Sequence, residues 1–249
     1  MIKGLYTAAS SMMTNRRNLD IISNNLANAT TTGYKKDAGI KKSFPEILIN
    51  RLQQGENKEL GQLGPGVQLD LSYTDFQTGA VKATDNKLDL AIKGKGFFVV
   101  QTSEGKRYTR NGDFSLNQQG QIVTQTGNPV LNKNDVPLTV PEGQEIKIDG
   151  KGQLSVDNHV RGTLQIVDFN NKSLLTKQGE NLYKKGQARE ITAVDYQIKQ
   201  GYLEQSNVKV VEEMAKMIET NRLYEANQKV IKTMDNTLGQ AVNQVGKVR

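Results

Sequence analysis

The sequence predicts an α+β protein, in which a mostly antiparallel β domain is inserted between N- and C-terminal helices that pair as a coiled coil. Apolar residues recur at heptad spacing near both ends of the chain, and short apolar segments separated by turn dipeptides fill the middle. We expect an N-terminal helix in 1–33, a basic, glycine-containing connector in 34–75, a β-rich domain in 76–204 and a C-terminal helix in 205–249. The two helical segments are expected to form one discontinuous domain.

The first segment has the spacing of a packed helix. Its apolar residues, together with one polar Asn15, are separated alternately by three and four residues: Leu5, Ala8, Met12, Asn15, Leu19, Ile22 and Leu26. The pattern ends in 28–33, where Asn, a run of Thr and a Gly all disfavour helix. A helix over residues 2–27 is therefore predicted.

The middle of the chain consists of two segments that differ in composition. Residues 34–75 are basic and spaced by glycines, which predicts a connector with a short helix near 44–52. From residue 76 onward the signals are those of short antiparallel strands, such as the alternation in 88–92 and the apolar run 97–100. The turn dipeptides that separate these strands are Asn111-Gly112, Gly127-Asn128 and Asp149-Gly150.

The last segment repeats the heptad pattern of the first. Val210, Met217, Tyr224, Ile231 and Leu238 recur every seven residues, and the interleaved positions include Met214 and Asn221. Polar residues at interleaved positions weaken self-pairing but fix the register of a coiled coil. Further apolar stripes lie beside the seam in both helices, which indicates more than one partner face.

The composition limits the chemistry that the chain can perform. Its 249 residues include no Cys and a single His, His159. Without cysteine there is no disulfide, thiolate metal site or cysteine nucleophile, and one histidine cannot build a site of two or three imidazoles. The sequence contains no phosphate-binding loop and no cluster of acidic residues. We therefore expect no enzyme activity, no cofactor and no metal.

Charge and hydropathy restrict the partners. The N-terminus lacks the apolar stretch of a secretory signal, and no segment approaches the ~18 apolar residues of a membrane span. We expect a soluble chain that needs no cleaved signal if it leaves the cytoplasm. The net charge is +7, and residues 1–58 carry nine Lys and Arg against four Asp and Glu. Such a basic segment leaves contact with nucleic acid or an acidic surface open.

Several motifs also follow one another in a characteristic order: 5–12 (LYTAASSM), 19–29 (LDIISNNLANA), 31–35 (TTGYK), 94–98 (GKGFF), 108–114 (YTRNGDF), 179–183 (GENLY), 201–208 (GYLEQSNV) and 212–225 (EEMAKMIETNRLYE). In residue order and spacing they resemble the bacterial flagellar rod and hook proteins. The resemblance covers nearly the whole chain and is loosest over 36–75.

The resemblance implies a structural subunit of the flagellar basal-body rod, with the terminal helices in an inner coiled-coil layer and the β region outside. It implies export through the flagellar type III apparatus without a cleaved signal peptide. Expected partners are copies of the chain and other rod and hook proteins, with no nucleic acid and no membrane insertion. A hook-type subunit is the alternative, although the β region has no large insertion of the hook kind, and a basic nucleic-acid-binding protein is a further one.

The residues expected at the assembly interface combine the two heptad seams with the polar residues that end the N-terminal motif. They are Leu5, Ala8, Met12, Leu19, Ile22, Asn24, Asn25, Leu26, Asn28, Gly33, Val210, Met214, Met217, Asn221, Tyr224, Ile231 and Leu238.

Overall fold

The computed structural model describes residues 2–53, 56–141, 144–157 and 159–245. Helices α1 (Ile2–Ala27) and α2 (Val210–Val245) lie near the two ends of the chain, where the heptad patterns predict them. Met1 and residues 246–249, which belong to the predicted helical segments, lie outside the described residues.

Strands fill the described residues between the helices. The first four are β1 (Asp37–Ser43), β2 (Ile47–Gln53), β3 (Glu56–Leu63) and β4 (Val67–Thr74). The others are β5 (Val81–Ala83), β6 (Leu90–Gly94), β7 (Phe97–Thr102), β8 (Gly105–Thr109), β9 (Phe114–Leu116), β10 (Ile122–Thr124), β11 (Ile146–Ile148), β12 (Gln153–Val156), β13 (His159–Thr163), β14 (Ile166–Phe169), β15 (Thr176–Lys177), β16 (Leu182–Lys184), β17 (Glu190–Thr192), β18 (Tyr196–Gln200) and β19 (Tyr202–Glu204). The pairs among β5 to β19 are antiparallel, which confirms the α+β class.

The chain divides into two compact units. The first comprises residues 1–27, 37–73 and 209–249, and the second comprises residues 28–36 and 74–208. Two boundaries therefore differ from the prediction. Most of the segment predicted as a connector packs with the terminal helices, and the turn residues after α1 pack with the β region.

The short helix predicted near 44–52 is wrong. Residues 47–53 are strand β2, which pairs antiparallel with β3. The β-branched residues Ile47 and Ile49 favour an extended backbone, and a partner strand follows directly in the sequence. The glycine spacing of residues 34–75 therefore did not reveal that β2 and β3 pair.

Strand β7 is central in the six-stranded sheet of the second unit, whose order is β15-β16-β8-β7-β14-β17. Phe98 and Val100 belong to one hydrophobic cluster, and Phe97 and Val99 belong to another. All four side chains are at most 1% exposed. Because successive side chains of a strand point to opposite faces, both faces of the sheet are buried at this strand.

A buried carboxylate joins distant segments of the second unit. Glu204, the last residue of β19, is 1% exposed, and its carboxylate lies 2.5 Å from Nζ of Lys35 and 3.3 Å from Nη1 of Arg110. The backbone N–H of Gly79 donates to the same carboxylate at 2.9 Å. Burial lowers the pKa of Lys35, and the charge of Glu204 opposes that shift. The carboxylate thus has two cationic partners where water is excluded.

The backbone beside this carboxylate is held by the side chain of Asn207. Its Oδ1 accepts from the N–H of Lys36 at 2.8 Å, and its Nδ2 donates to the carbonyl of Asp75 at 2.8 Å. The N–H of Asp75 donates in turn to the carbonyl of Lys36 at 2.9 Å. Together with Glu204 and its partners, these bonds form what we call the junction of the second unit.

Gly33 is required at the junction. Its N–H donates to the carbonyl of Glu204 at 2.8 Å, and its backbone has φ +67°. A Cβ at this position would lie 2.4 Å from the backbone nitrogen of Asn111. Only glycine combines the left-handed backbone with such a close approach.

At one edge of the second unit, the hydroxyl of Tyr108 and Nζ of Lys185 both donate to the carboxylate of Glu190. Partial burial raises the pKa of Glu190, but these two hydrogen bonds outweigh burial and hold the pKa below its usual value. Burial, with the Glu190 hydrogen bond, raises the pKa of Tyr108.

We expect Glu204→Gln to lower the free energy of unfolding of the second unit by about 3–5 kcal/mol, because two buried cations lose their counter-charge. Glu145→Gln is the matched control, since Glu145 and its partner Lys87 are both more than half exposed. Urea unfolding, followed by the near-ultraviolet circular dichroism of the buried tyrosines, measures the free energy of unfolding of both variants. Equal losses for the two substitutions would contradict the stabilising role of the Glu204 carboxylate.

The Glu190 site predicts a pH dependence. Because the pKa of Glu190 is lower in the folded chain than in the unfolded chain, its stabilising effect is present above the unfolded value and is lost as the pH falls through the folded one. The raised pKa of Tyr108 predicts a second loss as the pH rises past the usual tyrosine range. Glu190→Gln should flatten the acidic limb of urea midpoints measured from about pH 3 to about pH 7. An unchanged acidic limb would show that Glu190 is not responsible.

Candidate assembly surface

Helices α1 and α2 of the first unit pack against each other in antiparallel order. Hydrogen bonds or close contacts join Asn25 to Glu213 (3.3 Å), Asn18 to Thr220 (3.3 Å), Ser11 to Asn227 (3.0 Å) and Gly4 to Met234, whose Cε would lie 2.7 Å from a Cβ on the glycine. From one contact to the next, the residue number rises by seven in α1 and falls by seven in α2. We call these four contacts the ladder.

Small and polar residues therefore form much of the contact line between the helices. Asn25, Glu213 and Thr220 are each at most 5% exposed. The heptad prediction placed the C-terminal seam on Val210 and its repeats every seven residues, with Met214 and Asn221 at interleaved positions. Both residues are exposed, and the ladder instead uses the residue just before each of them.

A second line of α1 residues, also spaced by seven, holds the ribbon of strands β1 and β4. The Thr7 hydroxyl donates to the carbonyl of Pro65 at 2.9 Å, and the Thr14 hydroxyl donates to the carbonyl of Val67 at 3.0 Å. Ile21 continues the line, since a Cβ on Gly39 would lie 3.3 Å from its Cδ1. Part of the surface of α1 beside the ladder is thus covered by the same chain.

Asn25 connects three elements of the first unit. Its Oδ1 accepts from the N–H of Asp37 at 2.9 Å, and its Nδ2 donates to the carbonyl of Asp37 at 2.8 Å. The same Nδ2 lies 3.3 Å from Oε2 of Glu213 on α2. One buried amide therefore binds α1 to both β1 and α2, a role that heptad spacing did not reveal.

The predicted N-terminal seam lies to one side of the ladder. Leu5, Met12, Leu19 and Leu26 each follow a ladder residue by one position, which turns them about 100° around the helix. All four are partly buried. On α2, Met214 and Asn221 follow ladder residues in the same way. Equal offsets fall on the same side of an antiparallel pair, so these six residues share one face, which we call the flank.

The remaining predicted residues lie in four environments. Ala8 and Ile22 are buried, whereas Asn24 and Val210 are exposed. Met217, Tyr224, Ile231 and Leu238 are partly buried between the ladder and the flank. Asn28 and Gly33 belong to the second unit and do not join the helix pair. The prediction missed Val211 and Ile218, apolar residues of α2 that are 80% and 56% exposed.

Comparison of the sequence with known proteins identifies the family of this chain. Three family models match: flagella basal body rod protein over 5–35, flagellar hook protein FlgE/F/G D1 domain over 91–156, and flagellar basal body rod FlgEFG protein C-terminal over 199–244. The chain is 37% identical to the flagellar basal-body rod protein FlgF of Caulobacter vibrioides and 33% identical to the flagellar hook-basal body complex protein FlhO of Bacillus subtilis, with the whole of each chain covered in both cases. The chain belongs to the flagellar basal-body rod protein family.

Another relative of this rod-family chain is the flagellar basal-body rod protein FlgG of Buchnera aphidicola subsp. Schizaphis graminum. It is 35% identical, and the match covers 96% of this chain and 98% of the relative. The chain is therefore a structural subunit of the flagellar basal-body rod. In the part of the rod subunit that the structure describes, neither helix combines the length and the hydropathy needed to cross a membrane.

In this rod subunit, we expect Asn25→Ala to loosen α1, β1 and the start of α2 together, because one side chain bonds to all three. The loss of its buried hydrogen bonds should cost about 1–3 kcal/mol. Hydrogen exchange should quicken in 37–43 and 210–220 and stay unchanged in the second unit. Ser23→Ala, at an exposed position of the same helix, is the control. Equal hydrogen-exchange rates in the Asn25→Ala variant and the wild type over 37–43 and 210–220 would contradict the role of Asn25.

Proposed function

We propose that the subunit polymerises through the flank and the exposed face of α2 into the axial rod that links the flagellar motor to the hook. The observation that carries the proposal is the position of Leu5, Met12, Leu19 and Leu26. These apolar residues lie beside the intrachain contact line at heptad spacing and keep part of their surface exposed. A neighbouring subunit can bury that surface.

The proposed contacts are those of a coiled coil between subunits. Burying a fully exposed Leu contributes about 2 kcal/mol. Each flank leucine is already partly buried and adds only a share of that value, so the subunit contact needs several of them together. Val211 and Ile218 extend the apolar surface of α2 around the helix, away from the ladder. A subunit with different surfaces for different neighbours makes heterologous contacts, and such contacts generate a helical polymer when their rotation does not close.

The proposed partners are copies of this chain together with other rod and hook proteins, at the flagellar basal body. We propose that the subunit reaches the basal body through the flagellar type III export apparatus, without a cleaved signal peptide. Family membership and the apolar flank support protein partners, and we propose no role for nucleic acid. The surplus of basic residues near the N-terminus then serves solubility and contact with other subunits.

We expect Leu19→Asp to prevent rod assembly while the second unit stays folded, because an unpaired carboxylate at a buried subunit contact costs several kcal/mol. Ile231→Asp should act in the same way. In a strain whose own gene is disrupted, either variant should leave cells non-motile and basal bodies without a complete rod.

Asn134→Asp is the matched control for these variants. It also adds a carboxylate, but position 134 is exposed and lies in the second unit, outside the flank and α2. It should keep motility. Normal motility of the Leu19→Asp strain, with the variant detected in its basal bodies, would mean that the flank is not an assembly surface.

A further inference from the structure

Among the described residues, every sulfur atom lies in helix α1 or α2 of the first unit. The chain has no Cys and six Met, and these are Met1, Met12, Met13, Met214, Met217 and Met234. None falls within residues 28–36 or 74–208, which make up the second unit. The chain also lacks Trp, so thioethers are its most readily oxidised side chains.

Two of these methionines are open to solvent. Met214 is a flank residue and is 48% exposed. Met13 is 67% exposed and lies next to the flank, on the face of α1 that is turned away from α2. Met12 and Met217 are partly buried beside them. Methionine adapts its shape to irregular apolar neighbours, which suits a surface that contacts several subunits.

We propose that Met13 and Met214 are sites of oxidation by hydroperoxides, and that their oxidation blocks subunit assembly while leaving the second unit folded. This inference rests on the proposed function and extends the assembly surface from the flank to the exposed face of α1 at Met13. Assembly buries both thioethers, so subunits are sensitive before they join the polymer and protected afterwards.

The chemistry needs only the thioether and the hydroperoxide. The O–O bond of the hydroperoxide breaks, an S–O bond forms, and the sulfur loses two electrons. The hydroperoxide leaves as an alcohol, or as water when it is hydrogen peroxide. The sulfoxide is polar, and it loses free energy when a subunit contact removes it from water without a hydrogen-bond donor.

The test uses the purified full chain, treated with hydrogen peroxide and mapped by mass spectrometry for sulfoxides at each methionine. Assembly is measured by sedimentation over a range of concentrations. We expect the concentration needed for assembly to rise about tenfold or more for each sulfoxide at the contact. Pre-assembled polymer exposed to the same peroxide should keep Met13 and Met214 unoxidised.

Two variants assign the effect to these residues. The Met13→Leu, Met214→Leu double variant keeps apolar side chains of similar volume. Peroxide should no longer raise the concentration that this variant needs for assembly, whatever that concentration is before treatment. Met234→Leu, which alters the ladder methionine instead, should remain as sensitive as wild type. Far-ultraviolet and near-ultraviolet circular dichroism before and after treatment check that the helices and the second unit stay folded.

The outcomes separate this inference from the proposed function. If the untreated chain does not assemble, the proposed function is wrong and the oxidation site falls with it. If the untreated chain assembles and the chain oxidised at Met13 and Met214 assembles equally well, only the inference is overturned. Persisting peroxide sensitivity of the Met13→Leu, Met214→Leu variant would also overturn it.

Discussion

The carboxylate of Glu204 is the contact on which the arrangement of the second unit depends. It pairs with two buried cations, Lys35 and Arg110, that come from segments far apart in the sequence. The bonds of Asn207 and Gly33 surround it, so residues before Asp37 and after Thr74 are held against the end of β19. The junction thus joins segments of the second unit that are far apart in the sequence.

The helix pair separates two tasks that apolar heptads usually combine. The ladder fixes which residue of α1 meets which residue of α2, and it does so largely with amides, hydroxyls and a carboxylate. Polar contacts specify register well but contribute little net stability. The apolar surface is therefore available at the flank. A pair built in this way can keep its own register while it adds neighbours.

The sequence predicts both helices and the antiparallel β region because their periodicities are local. The run Phe97-Phe98-Val99-Val100 is such a case, since four consecutive apolar residues at strand length indicate a strand with two buried faces. The ladder was not predicted because Ser11 and Asn18 look like solvent-facing residues until a partner helix is placed beside them. Asn25 was expected at the assembly interface, and its contact with α2 within the chain was not. The contact of Lys35 with Glu204 could not be predicted from the sequence either. The two residues are 169 positions apart, and each alone resembles an ordinary surface charge.

The register of the ladder also constrains how this part of the chain can change in length. A single-residue insertion in α1 between Ser11 and Asn18 would rotate every later rung by about 100° and turn the amide of Asn25 away from β1 and α2 at once. An insertion of seven residues would preserve the facing side of α1, but it would need an equal one in α2. Length variation in the helix pair is therefore expected in coupled heptads.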